Sequence, residues 1–173
     1  GRPSDNPLIL HIADMEQFYP LIKTDNAKII ARAEALADVF WPGPLTMILP
    51  KADNIPYETT GGLDTVAIRM PSHLVARALL QECKMPIAAP SANLSGRPSP
   101  TSASHVIEDM NGRIEMIIDG GDVGIGVEST IIDLTGEVPM LLRPGFVTPE
   151  MLQQVLGTVE TDAAVYHQVG KDV

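Results

Sequence analysis

The sequence predicts an α/β fold, a sheet of mixed direction with helices packed on it. Three observations carry that expectation. Short apolar runs alternate with amphipathic stretches, the alternation is irregular, and the late runs are spaced as a hairpin would space them. The 173 residues suffice for one domain with a sizeable core, and 45% hydrophobic against 20% charged residues is the balance of a folded chain.

Residues 8–12, Leu-Ile-Leu-His-Ile, bounded by Pro7 and Asp14, read as a buried strand. Asp14 can cap a short helix reaching about Lys23, and Asn26 a longer one over residues 27–39. There Ile29, Ile30, Ala33, Leu36, Ala37 and Phe40 recur at helical spacing and form one apolar stripe. The run Phe40-Trp41-Pro42-Gly43-Pro44 ends that helix, since neither proline can continue it. Residues 46–50 and 65–70 read as two further strands, separated by an acidic, glycine-containing connection. Ser72 is placed to open a helix over residues 73–82, which leads to a short strand at 86–89. A polar stretch follows, Ser-Ala-Asn-Leu-Ser-Gly-Arg-Pro-Ser-Pro, before Thr101 or Ser102 starts a helix ending at Asn111-Gly112. Residues 114–118, 129–134 and 138–142 are each expected as a strand. Thr148-Pro149-Glu150 has a cap residue followed by proline at the first helical position, predicting a helix that stops at Gly157. The last fifteen residues carry no strong pattern. The expected organisation is one domain over residues 1–157 and the start of a linker or tail over 158–173.

Composition narrows the function. A net charge of −10 lacks the basic face that gripping many nucleic-acid phosphates requires. Cys83 stands alone, which excludes an internal disulfide, fits a reducing, cytoplasmic setting and reads as a small buried hydrophobe. Histidines 11, 73, 105 and 167 have no metal-ligand spacing, so no protein metal site is expected. No apolar window approaches a membrane span, so no membrane partner is expected. There is no P-loop and no nucleophile elbow, and the glycines at 121, 124 and 126 lead towards a strand rather than a helix, the wrong context for a dinucleotide site.

What remains is an anion-binding chemistry. The loop at 91–102 has two readings: plain turn formers, or hydroxyls and free N–H groups that hold an anion ahead of a helix. Of seven arginines, Arg2, Arg97 and Arg143 immediately precede proline, which stiffens the backbone beneath them. Arg69 and Arg143 also end apolar strands, where a guanidinium needs a partner. That partner is either an acidic side chain or a ligand carboxylate or phosphate. Asp119 and Glu128 read as turn or surface carboxylates.

Six stretches in order, GRPSDNPLILHI, WPGPLTMILP, TVAIRMP, APSANLSG, GVESTIID and LLRPG, resemble the YrdC-like family of threonylcarbamoyl-AMP synthases. The resemblance covers about residues 1–157. It implies an open twisted sheet with flanking helices around a central, polar, positively lined cavity. It also implies a reaction in which L-threonine, bicarbonate and ATP, with Mg2+ arriving on the ATP, give threonylcarbamoyl-AMP and pyrophosphate for tRNA threonylcarbamoyladenosine modification. Carried over by position, the catalytic set is Arg2, Ser91 and Asn93, with the family's lysine expected before Gly1. The ATP set is Arg2, Asn6, Thr65, Asn93, Thr101 and Arg143. The threonine set is His11, Arg69, Ser91 and Ser129. The family's N-terminal stretch Pro-Thr-Glu-Thr-Val-Tyr-Gly-Leu has no counterpart, so an N-terminally incomplete domain is expected, with a C-terminal linker begun after Gly157. Expected partners are the three substrates, a weak contact with tRNA, and downstream tRNA-modification proteins. Two other functions fit the same residues: a non-catalytic double-stranded RNA or tRNA-binding module, and a carbamoyl-adenylating domain that uses carbamoyl phosphate.

Overall fold

Capping chemistry starts the helices where the sequence places them. The Asp14 carboxylate accepts the Gln17 N–H at 3.0 Å and begins α1 (Met15–Phe18), which tightens into a 3₁₀ turn at Tyr19–Leu21. Asn26 accepts from the Lys28 N–H and begins α2 (Ala27–Phe40). Along α2, Ile29, Ala33, Leu36 and Ala37 are buried, so the stripe faces the core as its spacing requires. Thr148 caps α6 (Pro149–Leu156) through the Met151 N–H.

The computed structural model describes residues 2–124 and 126–165. Gly1, Ile125 within the 121–126 glycine stretch, and the tail from 166 on, His167 included, lie outside the described residues. The strands are β1 (Ile9–His11), β2 (Leu45–Pro50), β3 (Thr65–Arg69), β4 (Ile87–Ala89), β5 (Thr130–Asp133), β6 (Met140–Arg143) and β7 (Glu160–Thr161). Among the described residues they form one sheet of seven, in the order β4-β1-β3-β2-β5-β6-β7. Its direction is mixed, with β1 parallel to β3 and β2 to β5, while β3 and β2, β1 and β4, and β5 and β6 run antiparallel.

One face of this sheet is the core side. Leu10, Val66, Ile68, Met47, Leu49, Ile132 and Leu141 share a cluster with the stripe of α2 and with Leu152 of α6. Phe18 and Trp41 meet edge to face at 5.8 Å within it, and the Trp41 indole N–H donates to the Leu45 carbonyl at 2.7 Å. None of the described helices is long and apolar enough to cross a membrane.

The structure departs from the sequence reading in five places. A short helix α3 (Tyr57–Thr60) sits in the 51–64 connection, closed by Gly61 at φ 63°. Helix α4 (Leu74–Cys83) is capped by His73 rather than Ser72, because the imidazole Nδ1 accepts the Val75 N–H while Nε2 meets the Gly120 carbonyl at 3.1 Å. Cys83 ends α4 half-buried, since only one face of that helix is covered. Residues 114–118 form no strand. Their pattern suits a ladder, but among the described residues the edge strand β4 pairs only with β1. They instead line a groove of about 310 Å³ with Ala103 and Val106 of α5 (Ala103–Met110). Finally, β7 lies within the segment read as patternless and pairs with β6.

Candidate functional site

Register sets a transverse row of side chains on the face opposite the core. His11 on β1 pairs with Arg69 on β3, Arg69 with Thr46 on β2, Thr46 with Ile131 on β5, and Ile131 with Arg143 on β6. Partners across neighbouring strands point to the same face. With strands about 4.8 Å apart, Arg69 and Arg143 stand roughly 14 Å apart at the backbone, and their long side chains shorten that gap.

A regular β6 would bury Arg143, because Leu141 two residues earlier is on the core side. A bulge prevents this. Ile132 faces Leu141 while Ile131 faces Arg143, so Leu142 is an extra residue and the alternation resets. Arg143 therefore turns to the polar face. Its Nε donates to the Ser129 carbonyl at 2.9 Å, Nη2 to the Ser129 hydroxyl at 3.1 Å, and Nη1 pairs with Glu128 at 2.8 Å. The Ser129 hydroxyl also lies 2.9 Å from that of Thr46, and both residues are buried.

Among the described residues Arg69 makes one side-chain hydrogen bond, from Nε to the Gly43 carbonyl at 3.3 Å, which leaves both terminal guanidinium nitrogens open. No ion pair among the described residues engages it. Burial first, and the like charge of Arg143 second, pull its pKa below the ordinary arginine value. Two guanidinium groups on one face, one lacking a counter-ion, make a receptor for an anion.

His11 completes the row. Its Nδ1 lies 3.4 Å from the Ile87 carbonyl. A carbonyl only accepts, so the ring proton sits on Nδ1 and Nε2 keeps a lone pair. Burial, and then the Arg69 cation, lower its pKa from the ordinary 6.5. The unfolded chain therefore takes up this proton before the folded one. The contribution to stability is complete above about pH 6.5 and is lost as pH falls through the lower folded value. Urea denaturation of wild type and His11→Gln at pH 7.5 and 5.5 is expected to show the smaller acid loss in the variant.

The other candidates lie off the row, near the starts of β1 and β3 and in the loop that follows β4. Thr65 begins β3, four residues from Arg69, or roughly 13 Å at strand rise. Arg2 donates to the carbonyls of Asn6 and Pro7, just before β1, so its guanidinium serves its own loop. Because Ala89 faces Ile9 in the antiparallel β4–β1 pair, Ser91 leaves β4 where β1 begins. The Asn93 amide donates to the carbonyls of Leu94 and Arg97, and the Thr101 hydroxyl lies 3.4 Å from His105 Nδ1. Among the described residues no hydrogen bond or ion pair joins these six directly to the Arg69–Arg143 row. The loop makes the connection instead, for Ser99 donates to Glu128 at 2.7 Å and Glu128 holds Arg143. Sequence reasoning missed Thr46, hidden in an apolar strand; Glu128, read as a turn or surface carboxylate, is indeed exposed and in addition pairs with Arg143.

A family model for Sua5, YciO and YrdC, described as telomere recombination, matches residues 1–145. The chain belongs to the Sua5/YciO/YrdC family. Over its full length it is 57% identical to the threonylcarbamoyl-AMP synthase of Pyrococcus abyssi, covering 49% of that protein. It is 52% identical over its full length to the Bacillus subtilis protein of the same name, again covering 49% of it. The crystal structure of P. abyssi Sua5 complexed with L-threonine matches with a TM-score of 0.91 and 57% identity, over 96% of this chain and 48% of that one. E. coli YciO matches at 0.69 and 25% identity, over 83% and 68%. The open mixed sheet with its helices is thus the fold of Sua5 and YciO. The chain spans about half the length of the first curated relatives it matches.

Proposed function

We propose that this domain carries a threonylcarbamoyl-AMP synthase site, which joins L-threonine, bicarbonate and ATP into threonylcarbamoyl-AMP with release of water and pyrophosphate. The supporting observation is Arg69, a half-buried guanidinium beside Arg143 with no carboxylate partner among the described residues. It suits the carboxylate of an amino acid. Next to it, neutral His11 offers Nε2 to take a proton from the threonine ammonium, and the freed amine adds to the carbon derived from bicarbonate. Ser129, beside the row and with its hydroxyl paired to buried Thr46, is the group assigned to the threonine hydroxyl.

In the second step a carbamate oxygen attacks the α-phosphorus of ATP, the bond to the β-phosphate oxygen breaks, and pyrophosphate leaves with the electron pair. No covalent enzyme nucleophile is needed. Alignment of two bound anions and fixed donors at the phosphate supply the rate. Arg143 is the donor at hand, and the phosphate competes with Glu128 for its Nη1. In this reading the nucleotide then extends past Arg143 along the loop carrying Ser91, Asn93 and Thr101 towards Arg2, Asn6 and Thr65 near the starts of β1 and β3. Glu128, beside the row, is already engaged by Arg143 and Ser99, which fits Mg2+ carried by the triphosphate better than a protein cage. The product would pass to tRNA-modifying partners in the cytoplasm. A full-length chain carrying this domain should release pyrophosphate only with all three substrates present. Release with carbamoyl phosphate in place of threonine, or salt-steep RNA binding without turnover, would overturn the reading.

A further inference from the structure

Asp109 is a carboxylate on α5, only 6% exposed, and nothing in the chemistry above uses it. It accepts the Leu94 N–H at 2.9 Å and pairs with Arg97 Nη1 at 2.5 Å. Arg97 also reaches Glu108 at 3.4 Å, but Glu108 is exposed and Asp109 is not. The two residues that Asp109 holds are the ends of one tight turn. The Arg97 N–H donates to the Leu94 carbonyl at 3.0 Å, and Gly96 supplies the positive φ of 87°.

That turn in turn fixes Asn93. Its Nδ2 donates to the Leu94 carbonyl at 3.0 Å and to the Arg97 carbonyl at 2.9 Å. A flipped amide would set an oxygen against two carbonyl oxygens, so the assignment follows from the contacts. Both N–H groups are spent. Oδ1 is buried and has no hydrogen-bond partner among the described residues. A buried acceptor left unmet is costly, so a ligand donor is the natural complement. What Asn93 has free is therefore an acceptor.

We propose that Asp109 is a positioning residue, which clamps the Leu94–Arg97 turn so that Asn93 offers Oδ1 to a hydroxyl or amino group of the nucleotide. This rests on the reading of the domain as an ATP-using synthase. Asp109 acts only through the turn and touches no substrate. A phosphate, with acceptors only, does not suit Oδ1, whereas the ribose hydroxyls and the base amino group do.

The test uses the full-length chain. Asp109→Asn keeps the shape and can still accept from Leu94, but it loses the pair with Arg97. It is expected to raise the KM for ATP by about 2- to 10-fold, the worth of one hydrogen bond, with the KM for threonine unmoved. Asn93→Ala is expected to do the same, and the double variant to be no worse than Asn93→Ala alone. Arg97→Gln, at a half-exposed position that folding tolerates, should shift the ATP KM in the same direction. Independently of turnover, the Asn93 side-chain amide protons should exchange slowly in wild type and rapidly in Asp109→Asn. Additive losses in the double variant, equal changes for both substrates, or unchanged amide exchange would overturn the proposal. A wild type that releases no pyrophosphate while Asp109→Asn still frees the Asn93 amide overturns the synthase reading and upholds the clamp.

Discussion

Replacing Arg143 by alanine is expected to weaken ATP binding by about 10- to 150-fold, the range for a hydrogen bond to a charged group. The side chain is 32% exposed, so solvent screening places the effect towards the lower end of that range. Three donors act at once in the wild type, two on Ser129 and one on Glu128. Truncation removes all of them and leaves Glu128 as an uncompensated negative charge where a phosphate must approach. Arg143→Lys should recover little, because a single ammonium cannot reproduce the planar three-way contact. Titration calorimetry with ATP on the three proteins measures both effects.

The second large effect is expected at Gly145, in the Arg-Pro-Gly turn that follows β6. A Cβ there would stand 2.5 Å from the Glu128 carbonyl oxygen and 2.7 Å from the backbone nitrogen and hydroxyl of Thr130. The contacts are chiefly backbone, on the segment that carries Ser129, so the neighbour cannot rotate away. Gly145→Ala is expected to destabilise the domain by about 1–3 kcal/mol, as overpacking does. Because the displaced segment is 128–130, ATP affinity should fall as well, even at temperatures where the variant remains folded. A melt followed by tryptophan fluorescence reads the first effect through Trp41, the sole tryptophan, which is buried against Phe18.

The sequence carried the helical framework well because caps and stripes are local. Asn26, Thr148 and the stripe from Ile29 to Ala37 need no partner to be recognised. Arg69 and Arg143 were legible for a different reason: a charge that ends an apolar strand must be compensated. What could not be read was pairing. Residues 138–142 are apolar without a glycine, so nothing marks Leu142 as a bulge until Ile131 and Ile132 are seen opposite Arg143 and Leu141. Yet that extra residue decides which face Arg143 serves. The 114–118 run, Ile-Glu-Met-Ile-Ile, is apolar enough for a strand, but no described strand pairs with it. At Asn93, too, only coordinates show that two carbonyls consume both side-chain N–H groups.

The most direct test of the anion row is calorimetric titration of L-threonine into the full-length wild type and Arg69→Ala. Arg69 has no ion-pair partner among the described residues and is therefore free to bind the ligand carboxylate. Losing it should weaken threonine binding by about 10-fold or more, as expected for a charged hydrogen bond, and should leave thermal stability near that of wild type. Equal threonine affinity in the two proteins would contradict the assignment of this guanidinium to the amino-acid carboxylate.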